Sequence, residues 1–174
     1  MTERSNEEIE ELAGEIAPVL FAYATVSDNW VNQLKTYQNI SVTEENVGTM
    51  YFYTIALYIE LVIARIGDLT TPKEKTKLEV EIIKLIVRMM VLISDSRDPK
   101  ANKEIAKVIV DTIAGHRKAE TKHKQTIFNT YLATFFETYT QVPKEYLSAY
   151  LEDKVKLLEE KNFRKLLTKS GLVF

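Results

Sequence analysis

Apolar positions recur every three or four residues along almost the whole chain, the spacing that stacks side chains on one face of an α-helix. Ile9, Leu12, Ile16, Leu20 and Tyr23 form a first stripe, which Trp30, Val31, Leu34 and Tyr37 extend. Ile55, Leu57, Tyr58, Leu61, Val62 and Ile66 leave little polar surface on a second helix. Leu78, Ile82, Leu85, Ile86 and Met89 stripe a third, with Lys77, Glu81, Lys84 and Arg88 on its wetter side. Ile105, Val108, Ile109, Thr112 and Ile113 mark a fourth, and Phe128, Tyr131, Leu132, Phe135 and Tyr139 a fifth. Tyr146, Leu147, Tyr150, Leu151, Leu157 and Leu158 carry a sixth. No segment alternates with period two between hairpin turns. The pattern therefore predicts an all-α protein: a single compact bundle of about six mostly antiparallel helices. One domain spans residues 1–174, with 162–174 expected as a projecting C-terminal arm.

Helix boundaries are legible in the polar residues. Ser5-Asn6-Glu7-Glu8 and Ser41-Val42-Thr43-Glu44 fit the capping box, in which hydroxyl and carboxylate satisfy exposed backbone N–H groups reciprocally. Thr71-Pro72-Lys73-Glu74 adds a proline at the first helical position, and Asp98-Pro99 and Val142-Pro143 repeat the proline start. Gly67, the Ser94-Asp95-Ser96 cluster and Gly171 read as stops. Pro18 is expected to kink the first helix, because its ring meets the carbonyl of Gly14.

Composition narrows the function classes. The absence of cysteine excludes disulfides, thiolate metal sites and cysteine nucleophiles. It fits an intracellular, cytoplasmic setting. Lysine outnumbers arginine 17 to 6 and glutamate outnumbers aspartate 19 to 6, a balance found in proteins from hot environments, offset by eight asparagines. The stretch 46–64 holds Glu60 as its one charge, but its polar residues and lack of flanking lysines favour a buried central helix over a membrane span. Net charge is −2, distributed as −7 over residues 1–48, +1 over 49–115 and +4 over 116–174. Such a gradient steers acidic partners to one end or pairs the ends of neighbouring copies.

The chain's two histidines lie in GHRKAETKHKQ, residues 115–125, which reads as a basic junction between helices, with Gly115 as a stop and Thr121 as a restart. On a straight helix His116, Glu120 and His123 would share one face, but His116 and His123 would stand roughly 10.5 Å apart along the axis. One metal cannot bridge them, so no metal or other cofactor is expected. Glu120-Thr121-Lys122-His123 spells half of a di-iron motif whose second half would need another histidine. Arg117, Lys118, Lys122 and Lys124, with Lys161, Arg164, Lys165 and Lys169 of the arm, form a candidate track for a DNA or RNA backbone. Glu60 is a lone carboxylate on an apolar helix, expected to snorkel or to be ion-paired in the core rather than to be catalytic.

Arg117 and His123 also read as Arg-x5-His over seven residues, which resembles the Arg-x4-6-His signature of the HEPN superfamily of small helical bundles. The resemblance implies a metal-independent endoribonuclease assembled across a dimer. Arg117 would then stabilise phosphate charge, and His123 would assist proton transfer at the RNA 2′-hydroxyl. On a continuous helix the two residues point about 120° apart, so this site requires a bend. Lys118 follows the arginine where active members commonly carry a small polar residue. Glycine-rich phosphate loops and nucleophile elbows are absent from the sequence. The reading that follows is a non-enzymatic association module, a homo-oligomer or an accessory subunit of a larger, nucleoprotein-type complex. A HEPN-like ribonuclease and a nucleic-acid-binding helical protein are its alternatives.

Overall fold

The first helix opens on a closed capping box. In the computed structural model, Ser5 N donates to Glu8 Oε2 at 2.6 Å and Glu8 N to Ser5 Oγ at 3.2 Å. The second box does the same at Thr71 and Glu74, at 2.6 and 3.2 Å. Glu74 also accepts the backbone N–H of Arg4 at 2.8 Å, which ties the starts of two helices together. The structure describes residues 4–25, 44–65, 71–93, 99–123 and 125–159. These hold α1 (Asn6–Thr25), α2 (Glu44–Arg65), α3 (Pro72–Ile93), α4 (Pro99–His123), α5 (Ile127–Thr138) and α6 (Lys144–Glu159), with no strand among the described residues. Residues 41–43 of the expected second-helix start, the extension at Trp30 to Tyr37, the stops at Gly67, 94–96 and Gly171, and the arm 162–174 lie outside them.

Helix α1 continues through Pro18, which is exposed, so the hydrogen bond that the proline forgoes lies on the solvent side. The expectation of a stop at Gly115 is corrected. Helix α4 likewise runs through Gly115 to His123. A glycine inside a helix costs only about 1 kcal/mol against alanine, and Ile109, Ile113 and His116 are buried on both sides of it. Gln125 and Thr126 are non-helical, and Thr126 caps α5 by accepting from Asn129 N.

The helices alternate in direction. Arg4 meets Glu74 and Asn6 meets Lys77, so α1 and α3 run side by side in the same sense. Thr54 bonds Tyr150 and Tyr58 bonds the Lys154 carbonyl, both across 96 residues, so α2 and α6 also share a direction. Tyr53 packs on Phe135 while Glu60 faces Tyr131, which makes α2 and α5 antiparallel. Sequence neighbours thus run against each other, as the short connections predict.

Helix α2 is the axis of the bundle and touches each of the other five. Its residues Thr54 to Glu60 are all buried, which accounts for the near absence of polar positions in that stripe. Phe135 is fully buried among Tyr53, Tyr139 and Tyr150, with ring centroids 5.6 to 5.8 Å apart. Lys154 is also buried, its Nζ donating to the Tyr23 carbonyl at 3.3 Å near the end of α1. A cation at a helix C-terminus satisfies one of the last carbonyls and opposes the helix dipole. No helix among the described residues is long and apolar enough to cross a membrane.

Candidate functional site

Helix α4 divides the residues of the basic stretch between two clefts. At about 100° per residue, Arg117 lies about 100° round from His116, Glu120 between them, and His123 back within about 20° of His116. His116 and His123 accordingly line one cleft of about 470 Å³ with Tyr53, Thr112, Thr134 and Glu137. Arg117 and Glu120 line another of about 500 Å³ with Glu60, Lys75, Glu79 and Ile127.

In the first cleft both ring nitrogens of His116 are engaged. Its Nδ1 lies 2.7 Å from the Thr112 carbonyl, which requires a proton on that nitrogen, and its Nε2 lies 2.8 Å from Thr134 Oγ1. The ring stacks on Tyr131 at 3.8 Å and 16°. Burial holds the imidazole below its usual range, against the pull of the Thr112 carbonyl. His116 is therefore a packed, hydrogen-bonded core group. His123 is exposed at the end of the helix, and no group of three or more described His, Asp or Glu residues is placed to hold a metal ion.

In the second cleft Arg117 joins three helices. Its Nε donates to Glu60 Oε1 of α2 at 3.0 Å and its Nη2 to Glu79 Oε2 of α3 at 2.9 Å. Glu60 is only 3% exposed. Burial pushes its carboxyl up to about 7. The nearby Glu120 charge adds to the rise, while the Tyr131 hydroxyl and Arg117 oppose it. Glu120 is raised as well, again by burial, with Arg117 pulling it back. The Tyr131 hydroxyl lies close enough to Glu60 to influence it, yet without a hydrogen bond of acceptable geometry. Among the described residues, the buried side-chain atoms lacking any hydrogen-bond partner are Glu60 Oε2, Glu120 Oε1 and the Tyr131 hydroxyl. All three belong to this one cluster.

The candidates from the sequence are thus only partly brought together. Arg117 and His123 face different clefts because α4 does not bend, so the HEPN-like pair is not assembled within one chain. Arg117 spends its donors on carboxylates, while Lys118 and Lys122 remain exposed. Lys124, Lys161, Arg164, Lys165 and Lys169 lie outside the described residues. Glu79 and Tyr131 were not singled out by their spacing, since each looks like an ordinary member of a wet face or an apolar stripe. The one usable signal was Glu60, because a carboxylate in an apolar helix demands a partner. Comparison of the chain with family models, curated proteins and solved structures finds no match.

Proposed function

We propose that this chain is a non-enzymatic association module that assembles head to tail with further copies of itself. The observation that carries this reading is an apolar groove of about 280 Å³ between α3 and α4, lined by Ile83, Val87 and Ala106 and rimmed by Lys84, Arg88 and Lys103. Beyond it on the same two helices, Leu92 and Ile93 are 79% and 72% exposed, and Val108 and Val110 nearly half. Aliphatic surface of this kind, ringed by charge, is typical of contact surfaces.

The complementary surface is the outer side of α1, where Glu7, Glu10, Glu11 and Glu15 are exposed. Because α1 and α3 start together, those acids sit at one end of α3 and the basic groove toward the other. From Glu74 to Arg88 the rise is about 21 Å. A positive apolar end and a negative end on one body favour a heterologous contact, which closes into a ring or extends as a filament.

Sedimentation velocity over a range of protein concentrations and salt tests this. The expected result is a mass that grows with concentration at low salt and falls when salt reaches about 0.5 M, where screening acts within roughly 4 Å. Replacing Arg88 and Lys103 by Glu should abolish growth, and mixing that variant with Glu7→Lys/Glu11→Lys should restore it. A monomer under all these conditions would overturn the proposal.

A second reading, nucleic-acid binding, is favoured by one observation. Lys100, Lys103, Lys107, Lys118 and Lys122 are all exposed and share the outer face of α4 within about 100° of arc, over a length of about 33 Å. Lys107 is paired with Asp111 at 2.6 Å, which weakens the row at its centre. Filter binding with a salt series separates the readings, since a phosphate contact shows a steep salt slope.

A further inference from the structure

We propose that His116 of α4 and Thr134 of α5 form a proton switch, in which uptake of one proton by the imidazole reverses the hydrogen bond between the two helices without breaking it. The heavy atoms are well placed, but the neutral site is one proton short. Nδ1 of His116 has to donate, because its partner 2.7 Å away is the Thr112 carbonyl. In the neutral ring Nε2 is then a bare acceptor. The Thr134 hydroxyl, 2.8 Å away, supplies its proton. That hydroxyl also lies 3.2 Å from the Thr130 carbonyl, one turn back on α5. One hydroxyl proton cannot fully serve two acceptors.

A second proton on the ring ends the competition. Nε2–H then donates to Thr134 Oγ1, the hydroxyl turns to the Thr130 carbonyl, and Nδ1–H keeps the Thr112 carbonyl. Every donor has its own acceptor, and no heavy atom has to move. The charged ring also lies on the face of Tyr131, at 3.8 Å and 16°, a placement that favours a cation. Burial works the other way: His116 is only 6% exposed, and its imidazole is held below the usual range. The switch therefore operates on the acid side of an ordinary histidine's titration. It is independent of the association proposed above.

His116 and Thr134 both line the cleft of about 470 Å³, which gives a proton its route from solvent. Among the described residues, the titratable groups on this side are Asp111 and His123 of α4, Tyr131 and Glu137 of α5, and Tyr53 of α2. Asp111 is paired with Lys107, and the Tyr131 hydroxyl faces Glu60 and Glu120. Lys75 and Glu79 of α3 meet the Arg117 side of α4 instead. The ring's own hydrogen-bond partners, Thr112 and Thr134, are both uncharged.

Long-range proton–nitrogen NMR of the imidazoles in the full chain, followed over pH, tests the switch, with His123→Gln assigning the two rings. At the alkaline end His116 should carry its proton on Nδ1 and none on Nε2. Thr134→Val keeps the shape and removes the hydroxyl. His116 should then titrate about one pH unit lower than in the parent, the gap between a charge-assisted and a neutral hydrogen bond. Thr134→Ser should return the midpoint to the parent's. Lys124 is present in every chain compared, so its charge cancels from these differences. A proton on Nε2 at the alkaline end would overturn the proposal, as would a midpoint that Thr134→Val leaves unmoved. If that variant unfolds, the unaltered chain decides. Its Thr134 hydroxyl proton should sit against the ring above the midpoint and give way to an Nε2–H signal below it, and a hydroxyl turned away from the ring at both ends would sink the idea.

Discussion

Replacing Glu60 by Gln tests the electrostatic account of the core. The glutamine keeps the carboxylate's shape, and its Oε1 can still accept from Arg117 Nε. Its amide nitrogen adds a donor beside two acceptors that lack one. What is removed is a buried carboxyl whose value is near 7 in the fold against 4.5 unperturbed. The sign follows from that rise. Below about pH 4.5 Glu60 is protonated in both states and costs nothing. Above it the unfolded chain ionises first, and the fold loses stability until the folded carboxyl also ionises, near pH 7 to 8. A rise of this size corresponds to about 3 kcal/mol. Glu60 is almost completely shielded from solvent, so screening removes little of it. Arg117 keeps Glu79 and is 45% exposed, so the loss of one counter-charge is compensated by that carboxylate and by water.

Urea unfolding followed by circular dichroism at steps from pH 4.5 to 8 gives the difference between variant and parent. That difference should grow in favour of Glu60→Gln by about 3 kcal/mol across the range, or roughly 6–12 °C in Tm. His116, held low by burial, costs stability as pH falls below its ordinary value of 6.5, but it does so equally in both proteins. Two curves that stay parallel from pH 4.5 to 8 would refute the burial argument.

Two further substitutions probe the same core. Tyr131→Phe removes a buried hydroxyl without a partner while keeping the ring stacked on His116, so stability should change by less than about 1 kcal/mol or improve. A loss well beyond that in the same urea assay would mean that the hydroxyl is bonded. Phe135→Ala empties the centre of the aromatic cluster and should cost about 3–5 kcal/mol, read as a fall in Tm of roughly 6–20 °C.

Local chemistry was readable in the chain and distant chemistry was not. The boxes at Ser5 and Thr71 involve residues three apart, and both close as their spacing implies. Among the described residues the stripes likewise found the core, apart from Val108, which sits on the flank of α4 and is 46% exposed. Gly115 misled because a weak local preference for a stop was outweighed by burial of Ile113 and His116 on either side. Lys154 resembled any solvated lysine, and its burial follows from a carbonyl 131 residues away. The cleft was half visible: Glu60 announced a need for a partner, but which arginine answers, and that Tyr131 and Glu120 join it, depends on how α2, α4 and α5 pack.

The pairing of α2 with α6 bears on how the chain is made. Tyr58 finds its acceptor 96 residues later, and Lys154 reaches back 131 residues to Tyr23. At a synthesis rate of roughly 5–20 residues per second, α2 leaves the ribosome some 5–20 s before α6, the last of the helices that pack on it. During that interval the face of α2 that α6 later covers is exposed to the cell. Expression of chains ending before residue 144 should therefore yield protein that aggregates or is held by chaperones.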